Sequence, residues 1–383
     1  MDVSHIYSVG DARRRAARAI PRALFDYIDG GAEDEVTLHE NERAFREATF
    51  RPRMAAATAE PELSTSLLGT PLSVPVLLAP CGLVRFMHPD GAKGVARAAA
   101  AMGTVSVLST VAGTALEDVA TSASGPKWFQ LYAPGGPTQS AELVERAQRA
   151  GFSGLVVTLD TPALGHRERD VRHGVTQPFR FAPLPAGRLA AQVALRPRWL
   201  TGMARSVMRD RRATTGPGAA TPSARLVAMG ASPFSWDDIT AIRGQWQGPL
   251  LVKGVLGGDD ARRSVEAGCD GVIVSNHGGR QLDGAPATFR VLPEIVDALN
   301  GSAVVVLDSG IRRGSDVVKA LAAGADAVMI GRAYLYGLAT GGEPGVRRVL
   351  EILAAEMERT MRLMGCGSVS DLDRTWLGPL HSL

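Results

Sequence analysis

Short apolar runs recur along the chain, and polar or charged residues follow each run at once. The runs are rich in valine, isoleucine and leucine, which is typical of parallel strands that are buried on both faces. The pattern predicts eight strands, at Val76–Ala79, Val105–Leu108, Trp128–Leu131, Leu155–Thr158, Leu250–Val252, Val272–Val274, Val304–Leu307 and Ala327–Ile330.

A glycine precedes several of these strands, at the point where an amphipathic helix is expected to end. The helix C-cap favours glycine because it requires a positive φ, which other residues adopt only at a cost. Helical patterns such as Ser140–Ala150 and Asp316–Ala323 fill the intervals between strands. The glycines at these positions are Gly103, Gly151, Gly268, Gly301 and Gly324.

Eight strands that alternate with helices predict an α/β fold, a (β/α)8 TIM barrel. A doubly wound sheet is the alternative, but it rarely contains eight such evenly spaced units. Residues 1–70 precede the first strand and are expected to form an N-terminal helical cap over one end. Residues 161–247 form a long insertion after strand 4, of which 180–225 are predicted to be a basic inserted loop. We expect residues 1–383 to form one domain.

Composition is ordinary for a globular protein, with 45% hydrophobic and 21% charged residues. The cysteines Cys81, Cys269 and Cys366 are odd in number and far apart, so we expect no disulfide framework and a cytoplasmic location. The first 20 residues lack the apolar stretch of a secretory signal, and no apolar run is long enough to span a membrane.

Positive charge is concentrated in one segment. Between Arg188 and Arg212 there are seven arginines and one aspartate, a net +6, whereas the whole chain carries +3 and the remainder is therefore −3. A single aromatic residue in this segment argues against nucleic-acid binding. An apolar stripe runs beside the arginines, although Pro197 interrupts it: Leu189, Val193, Leu195, Trp199, Leu200, Met203, Val207 and Met208.

This composition is typical of an interfacial helix. It predicts that residues 188–212 dock on an anionic membrane surface, which would place the protein peripherally on the inner face of the cell membrane. The alternative is a lid whose arginines are simply solvated.

The sequence SNHGGRQLDG, residues 275–284, directly follows a predicted buried strand. Catalytic residues of a barrel lie at the carboxyl ends of its strands. His277 stands there and can accept a proton near neutral pH. Asp160 follows strand 4 on the same rim and can fix the tautomer of His277 and stabilise the imidazolium. The sequence therefore predicts a general base at this face.

Two arginines are expected at the same mouth. Arg280 comes three residues after His277, and Arg167 comes seven after Asp160. A pair of guanidinium groups suits a carboxylate, which arginine binds in a bidentate manner. Tyr27 and Tyr132 can donate hydrogen bonds to a substrate oxygen.

The loops after the last two strands resemble a phosphate site. They read DSGIRRGSD (308–316) and IGRA (330–333), and barrels bind phosphate at these two loops. The chain has no Walker A sequence, no GxGxxG after a strand, no metal-ligand spacing and no GxSxG elbow. A phosphate-bearing organic cofactor remains, and Lys253 at the end of strand 5 can neutralise negative charge on it.

These motifs resemble the family of FMN-dependent L-2-hydroxy acid dehydrogenases and oxidases. The resemblance covers nearly the whole chain except roughly 180–225. It is carried by FDYIDGGAEDEVTLHEN (25–41), WFQLY (128–132), TLDTPALGHRERD (158–170), LVKGV (251–255), SNHGGRQLDG and MERTMRLMGCGSV (357–369).

The resemblance implies an FMN cofactor and a homotetramer. In it His277 corresponds to the catalytic base with Asp160 behind it, and Arg280 and Arg167 correspond to the pair that binds the substrate carboxylate. Tyr132 and Tyr27 assist them. The residues that correspond to cofactor contacts are Ala79, Ser109, Gln130, Thr158, Lys253 and Ser275 for the ring and ribityl chain, and Asp308, Gly310, Arg312, Gly331 and Arg332 for the ribityl chain and phosphate.

The chain departs from the glycolate-oxidising members of the family at two places. Val111 replaces a tryptophan, and Cys81–Gly82 replaces a threonine–alanine pair. Both changes leave more room near the substrate, so we expect a lactate-like or aryl, mandelate-like substrate. The loops at 308–316 and 331–346 are closer to bacterial dehydrogenases that pass electrons to a respiratory quinone. Oxygen as acceptor, or another reaction of an FMN barrel, remains the alternative.

Overall fold

The computed structural model describes residues 2–56, 60–132, 137–176, 180–181, 183–211 and 234–378. Eight parallel strands form a closed barrel in which neighbours follow chain order and the last strand pairs with the first. This is the predicted (β/α)8 barrel. The strands are β3 Val76–Leu78, β4 Ser106–Ser109, β5 Lys127–Leu131, β6 Gly154–Thr158, β9 Leu250–Val255, β10 Gly271–Val274, β11 Val304–Asp308 and β12 Ala327–Ile330.

Two short antiparallel pairs lie outside the barrel. One joins β1 (Thr65–Leu67) to β2 (Thr70–Leu72), and the other joins β7 (Val175–Thr176) to β8 (Arg180–Phe181). Leu67 and Leu72 belong to the same apolar cluster as the barrel interior, so the first hairpin closes the amino-terminal end of the barrel.

Every predicted strand overlaps an observed strand, with ends that differ by at most three residues, and Ala327–Ile330 agrees at both ends. The largest difference is in β9, which continues to Val255 past Lys253. Gly254 makes this extension possible, because its φ is +110° and a Cβ there would lie 2.6 Å from the Cβ of Asp160. The five glycines predicted to end helices all have positive φ.

Helices surround the barrel and cover one end of it. Three of them precede the first barrel strand and form the expected cap, and the first of these packs on the last helix of the chain, through Thr340 Oγ1 to Ala12 O at 3.3 Å among other contacts. The helices are Val9–Ala19, Arg22–Asp29, Val36–Glu47, Val84–Met87, Gly91–Ala101, Leu116–Ala120, Pro137–Arg149, Glu168–Arg172, Pro183–Ala194, Pro197–Arg211, Trp236–Gln245, Gly258–Glu266, Thr288–Leu299, Gly314–Ala322 and Arg332–Met364.

The core has two layers, separated by the barrel wall. Residues that point inward fill the barrel, and residues that point outward pack under the helices, since neighbouring side chains on a strand face opposite ways. Trp128 is fully buried inside. The inner layer takes at least one side chain from each barrel strand: Leu77, Val107, Trp128, Val156, Leu251, Ile273, Val306 and Met329.

The insertion between β6 and β9 contains helices where a loop was predicted. Pro183–Ala194 and Pro197–Arg211 occupy much of the basic segment. Pro197 is the first residue of the second helix, a position that proline tolerates because the amide there has no partner within the helix. Thus Pro197 separates two helices and does not break one. Residues 212–225 of the predicted loop lie outside the described residues.

In the described parts of the chain, no helix combines the length and the apolar character that crossing a bilayer requires.

Candidate active site

His277 and Asp160 meet at the carboxyl end of the barrel. The Nδ1 atom of His277 lies 3.0 Å from Oδ1 and 3.1 Å from Oδ2 of Asp160. Burial lowers the pKa of His277, although Asp160 acts in the opposite direction. Burial alone would raise the pKa of Asp160, but His277 and Lys253 outweigh it and lower that pKa. The pair is therefore a neutral imidazole beside a carboxylate, with Nε2 free to face the cleft.

Two tyrosines line the same cleft as this imidazole. Tyr132 Oη is 3.5 Å from His277 Nε2, and the Tyr132 side chain packs on Val111. Burial raises the pKa of Tyr132 and of Tyr27. Both phenols are therefore protonated at neutral pH and can donate a hydrogen bond into the cleft.

Arg280 is held by the N-terminal cap. Its Nη1 donates to the carbonyl oxygens of Tyr27 and Gly30, at 2.5 and 3.0 Å. Its guanidinium carbon also lies 4.9 Å from the centroid of the Tyr27 ring. The cap segment thus fixes the position of a guanidinium group that emerges from the barrel.

Arg167 is a buried cation with incomplete pairing. Its Nε has no hydrogen-bond partner among the described residues, and the nearest carboxylate oxygen, on Asp170, is 3.7 Å from Nη1. Burial lowers the pKa of Arg167, and neighbouring Arg280 lowers it further. Because an unpaired buried charge is costly, this arrangement indicates a place for an anion.

Lys253, Ser275 and Asp308 form a hydrogen-bonded group under the cleft. Lys253 Nζ donates to Ser275 Oγ at 2.8 Å and lies 3.2 Å from Asp308 Oδ2, to which Ser275 donates at 2.7 Å. Burial would lower the pKa of Lys253, but Asp308 and Asp160 raise it above the ordinary value. Lys253 is accordingly charged at the base of the cleft.

Three polar side chains connect β4, β5 and β6 in a row. Ser109 Oγ donates to Gln130 Oε1, and Gln130 Nε2 donates to Thr158 Oγ1, both at 2.9 Å. All three side chains are buried. The row fixes which edge of the Gln130 amide faces each neighbour.

Two arginines lie at the loops after β11 and β12. Arg332 is partly buried, with its Nε atom out of contact with solvent. It donates to the carbonyl oxygens of Gly278 and Gly30, and its Nε has no partner in the described chain. Burial, with Arg280 nearby, lowers the pKa of Arg332 to about 10. Arg312 Nε lies 3.2 Å from Glu42 Oε1. The last helix begins after Gly331, so its N-terminus adds positive potential here.

One cleft of about 1040 Å³, open mouth included, brings most of these residues together. The cleft lining does not include five predicted site residues, although Asp160 contacts His277 and Ser275 contacts Lys253, which both line it: Asp160, Ser109, Gln130, Thr158 and Ser275. The predicted residues that line the cleft are Tyr27, Ala79, Tyr132, Arg167, Lys253, His277, Arg280, Asp308, Gly310, Arg312, Gly331 and Arg332.

Sequence reasoning missed Arg169 and Gln281. Arg169 lies 2.9 Å from Asp29 Oδ2 and also pairs with Glu35, so it ties the Arg167 segment to the cap. Gln281 contacts the backbone after Asp160. Both lie within two residues of a predicted substrate arginine, Arg167 or Arg280, and this proximity could have indicated their role.

The fold and site define an α/β-barrel enzyme with a basic phosphate end and a histidine–aspartate pair. A model of the FMN-dependent dehydrogenase family matches residues 16–379, and the chain belongs to that family.

Similar proteins carry related descriptions. The chain is 41% identical over 374 residues to the peroxisomal (S)-2-hydroxyacid oxidase GLO3 of Arabidopsis thaliana, covering 97% of this chain and 96% of that protein. It is 42% identical over 362 residues to an L-lactate oxidase of Nostoc sp., covering 94% of each. The structure of a monotopic membrane protein, (S)-mandelate dehydrogenase, matches with a TM-score of 0.89 and 35% identity, over 98% of this chain and all of that one.

The cleft fits FMN. The buried Nε atom of Arg332, which has no partner among the described residues, and the adjacent helix N-terminus suit a phosphate. Lys253 suits the negative charge of a reduced ring.

Proposed function

We propose that the protein oxidises an L-2-hydroxy acid to the 2-keto acid with FMN. One observation carries this proposal. His277, whose tautomer is set by the carboxylate of Asp160, lies in the same cleft as two arginines that can bind an anion. The reaction removes two electrons and two protons from the carbinol group, so it needs a base and an electron acceptor beside a held carboxylate.

His277 is the proposed base. Asp160 accepts a hydrogen bond from the Nδ1–H of His277. The lone pair of Nε2 then faces the cleft beside Tyr132. Burial keeps the imidazole neutral until it accepts the substrate proton, and the Asp160 carboxylate then stabilises the imidazolium. Tyr132 can donate a hydrogen bond to the substrate oxygen from its protonated phenol.

Arg167 and Arg280 are the proposed carboxylate clamp. Arg280 is already oriented by the carbonyls of Tyr27 and Gly30. The Nε of Arg167 has no partner in the described part of the chain. A substrate carboxylate would offset the repulsion between the two cations. Tyr27 can donate a further hydrogen bond to it.

FMN, when bound, accepts the two electrons. We assign its phosphate and ribityl chain to Asp308, Gly310, Arg312, Gly331 and Arg332. Its ring is assigned to Ala79, Ser109, Gln130, Thr158, Lys253 and Ser275. Of the first set, Arg332 has the strongest support, because its Nε atom is buried and has no hydrogen-bond partner among the described residues.

We propose a membrane quinone as the electron acceptor. Three apolar residues of the insertion are exposed: Leu195, between the two helices, is 71% accessible, and Leu200 and Met208 of the second helix are 42% and 60% accessible. Trp199 and Met203, by contrast, face the barrel, since Trp199 Nε1 donates to Phe86 O and Met203 is buried. The docking surface is therefore narrower than the stripe in the sequence.

A basic groove extends this docking surface onto the first helix. Arg14, Arg15 and Arg18 line it opposite the junction of the two insertion helices, where Arg196 and Arg198 lie. Each basic residue near an anionic surface contributes about 1 kcal/mol. The monotopic mandelate dehydrogenase of similar structure supports attachment of this kind.

Two measurements test the proposal. Anaerobic bleaching of the bound flavin by a panel of L- and D-2-hydroxy acids tests the reaction, and bleaching by none of them would favour another FMN barrel chemistry. Co-sedimentation with anionic liposomes at low and high salt tests docking, with a variant lacking 188–212 for comparison. If neither form sediments at low salt, oxygen becomes the favoured acceptor and the protein a peroxide-producing oxidase.

The homotetramer, the single domain and the cytoplasmic location stay predictions. Light scattering coupled to size-exclusion chromatography measures the oligomeric state.

A further inference from the structure

Gln281 uses all of its side-chain hydrogen-bonding atoms on one neighbouring loop. Its Nε2 donates to the backbone oxygens of Asp160 and Ala163, at 2.9 and 2.8 Å. Its Oε1 accepts from the backbone N–H of Gly165 at 3.3 Å. The opposite orientation of the amide would place its oxygen against two carbonyl oxygens, so these contacts define the orientation.

The loop that Gln281 contacts carries two proposed site residues at its ends. Residues 159–167 contain neither helix nor strand, with Asp160 at the start and Arg167 at the end. Asp160 contacts His277, and Arg167 lines the cleft. A loop without regular hydrogen bonds has no internal means of fixing the separation of these two residues.

The loop lies directly on the backbone of the segment that carries Gln281. A Cβ on Gly165 would lie 2.3 Å from Arg280 O and 2.4 Å from Gln281 O. Glycine is therefore required for this approach, and the amide of Gln281 can reach the loop only because the two backbones touch. The contact places Arg167 and Arg280 on adjoining segments.

Electrostatics oppose this arrangement when no anion is bound. Burial and the neighbouring Arg280 both disfavour the charged form of Arg167. Repulsion between two guanidinium groups would push the loop outward, whereas a neutral amide with three hydrogen bonds resists that movement. Three such hydrogen bonds together are enough to influence the position of a short loop.

We propose that Gln281 is a positioning residue that pre-assembles the substrate site, holding Asp160 and Arg167 in register with His277 and Arg280 before an anion binds. The inference rests on the proposed function in so far as the anion is a 2-hydroxy acid. Gln281 lines the cleft, but its side-chain nitrogen and oxygen are bound to the loop, so its effect passes through the loop.

The variant Gln281→Met tests this role, because methionine has a similar length and cannot make these hydrogen bonds. Calorimetry measures the affinity of the holoenzyme for oxalate, and we expect this affinity to fall by roughly 5- to 30-fold in the variant. KM for the best hydroxy acid rises by a similar factor, and kcat changes less. The turnover ratio of acid to methyl ester falls, because the ester does not use the arginine clamp.

Gln148→Met is the matched control, since Gln148 is exposed on the helix Pro137–Arg149. It should retain the wild-type oxalate affinity. Should Gln281→Met reduce the yield of folded protein, Gln281→Leu provides the same test. That variant adds no charge and removes both donors and the acceptor.

Amide hydrogen exchange separates this inference from the proposed function. Peptides covering 159–167 should exchange faster in Gln281→Met than in wild type, whatever the enzyme oxidises. A wild type that oxidises no hydroxy acid defeats the proposed function and leaves the exchange comparison intact. Equal exchange in this loop together with an unchanged acid-to-ester ratio overturns the positioning role, and a loss of stability alone also counts against it.

Discussion

Nδ1 of His277 lies 3.0 Å from Oδ1 of Asp160, although 116 residues separate the two in the chain. Asp160 follows β6 and His277 follows β10, and β9 lies between these strands in the barrel. Lys253 of β9 lowers the pKa of both residues through its charge. The barrel thus sets three ionisable groups side by side that no local sequence motif could join.

Replacing His277 with glutamine should remove the base. We expect His277→Gln to retain FMN and to slow reduction of the bound flavin by roughly 10²- to 10⁴-fold or more. Anaerobic stopped-flow absorbance measures this rate, and the flavin content of the variant serves as control. A variant that bleaches at the wild-type rate would exclude His277 as the base.

The pH dependence of kcat/KM should report His277. Because burial lowers the pKa of His277, activity should persist below the ordinary histidine pKa of about 6.5 and fall only at lower pH. Asp160 raises that pKa, so Asp160→Asn should move the acidic limb to still lower pH.

Asp160→Asn should also slow flavin reduction by roughly 10²- to 10⁴-fold, since the imidazolium loses its partner carboxylate. Measuring kcat/KM and the rate of flavin reduction against pH, at constant ionic strength, tests both expectations for Asp160→Asn. An acidic limb that moves upward in the variant contradicts the assignment.

The arginine clamp predicts discrimination against uncharged substrates. Methyl esters or amides of a good substrate should be poor substrates, because a buried charged pair lost in this way costs on the order of 2–5 kcal/mol. Arg167→Met should reduce kcat/KM for the acid far more than for the ester. Equal turnover of acid and ester by the wild type would refute the clamp.

Specificity for the side chain of the substrate should depend on Val111, which is buried and packs on Tyr132. Lactate or longer and aryl 2-hydroxy acids should exceed glycolate in kcat/KM. Val111→Trp fills this space and should reduce turnover of aryl acids more than that of glycolate. Steady-state kinetics on the panel tests this, and glycolate as the best wild-type substrate contradicts it.

Arg332 predicts a preference for FMN over riboflavin, which lacks the phosphate. Arg332→Met should weaken FMN binding by about 2 kcal/mol or more and leave riboflavin binding nearly unchanged, since a charged hydrogen-bond pair is lost with the first ligand alone. Fluorescence titration of the apoprotein measures both affinities. A parallel loss for both flavins would place the phosphate elsewhere.

Much of the barrel could be predicted from the sequence because buried parallel strands leave a strong local signal. The glycines before strands and the runs of branched apolar residues act over a few positions each. The positions of the strand ends were predicted less accurately. Lys253 was expected to end its strand, yet β9 continues to Val255. A bulge between β9 and β10 accounts for the difference, and it depends on pairing across the sheet.

The site was predictable to the extent that its residues lie at strand ends, as His277 and Asp160 do. Arg280 was assigned to the substrate alone, but its guanidinium group also binds the cap carbonyls of Tyr27 and Gly30. Nothing near Arg280 in the sequence indicates this contact. The inward orientation of Trp199 was equally hidden, because helical periodicity does not say which surface a face will meet.

The carbonyl oxygen of Gly30 accepts hydrogen bonds from both Arg280 and Arg332. One acceptor from the first tenth of the chain therefore serves two arginines from its last third. During synthesis on the ribosome, strands β3 to β6 emerge long before either arginine exists. A nascent chain can begin to form sheet early, but its cleft lacks Arg332 until that residue has left the exit tunnel and the cap has met it. On the proposed assignment of Arg332 to the phosphate, we expect flavin to bind only chains that have been synthesised well beyond residue 332.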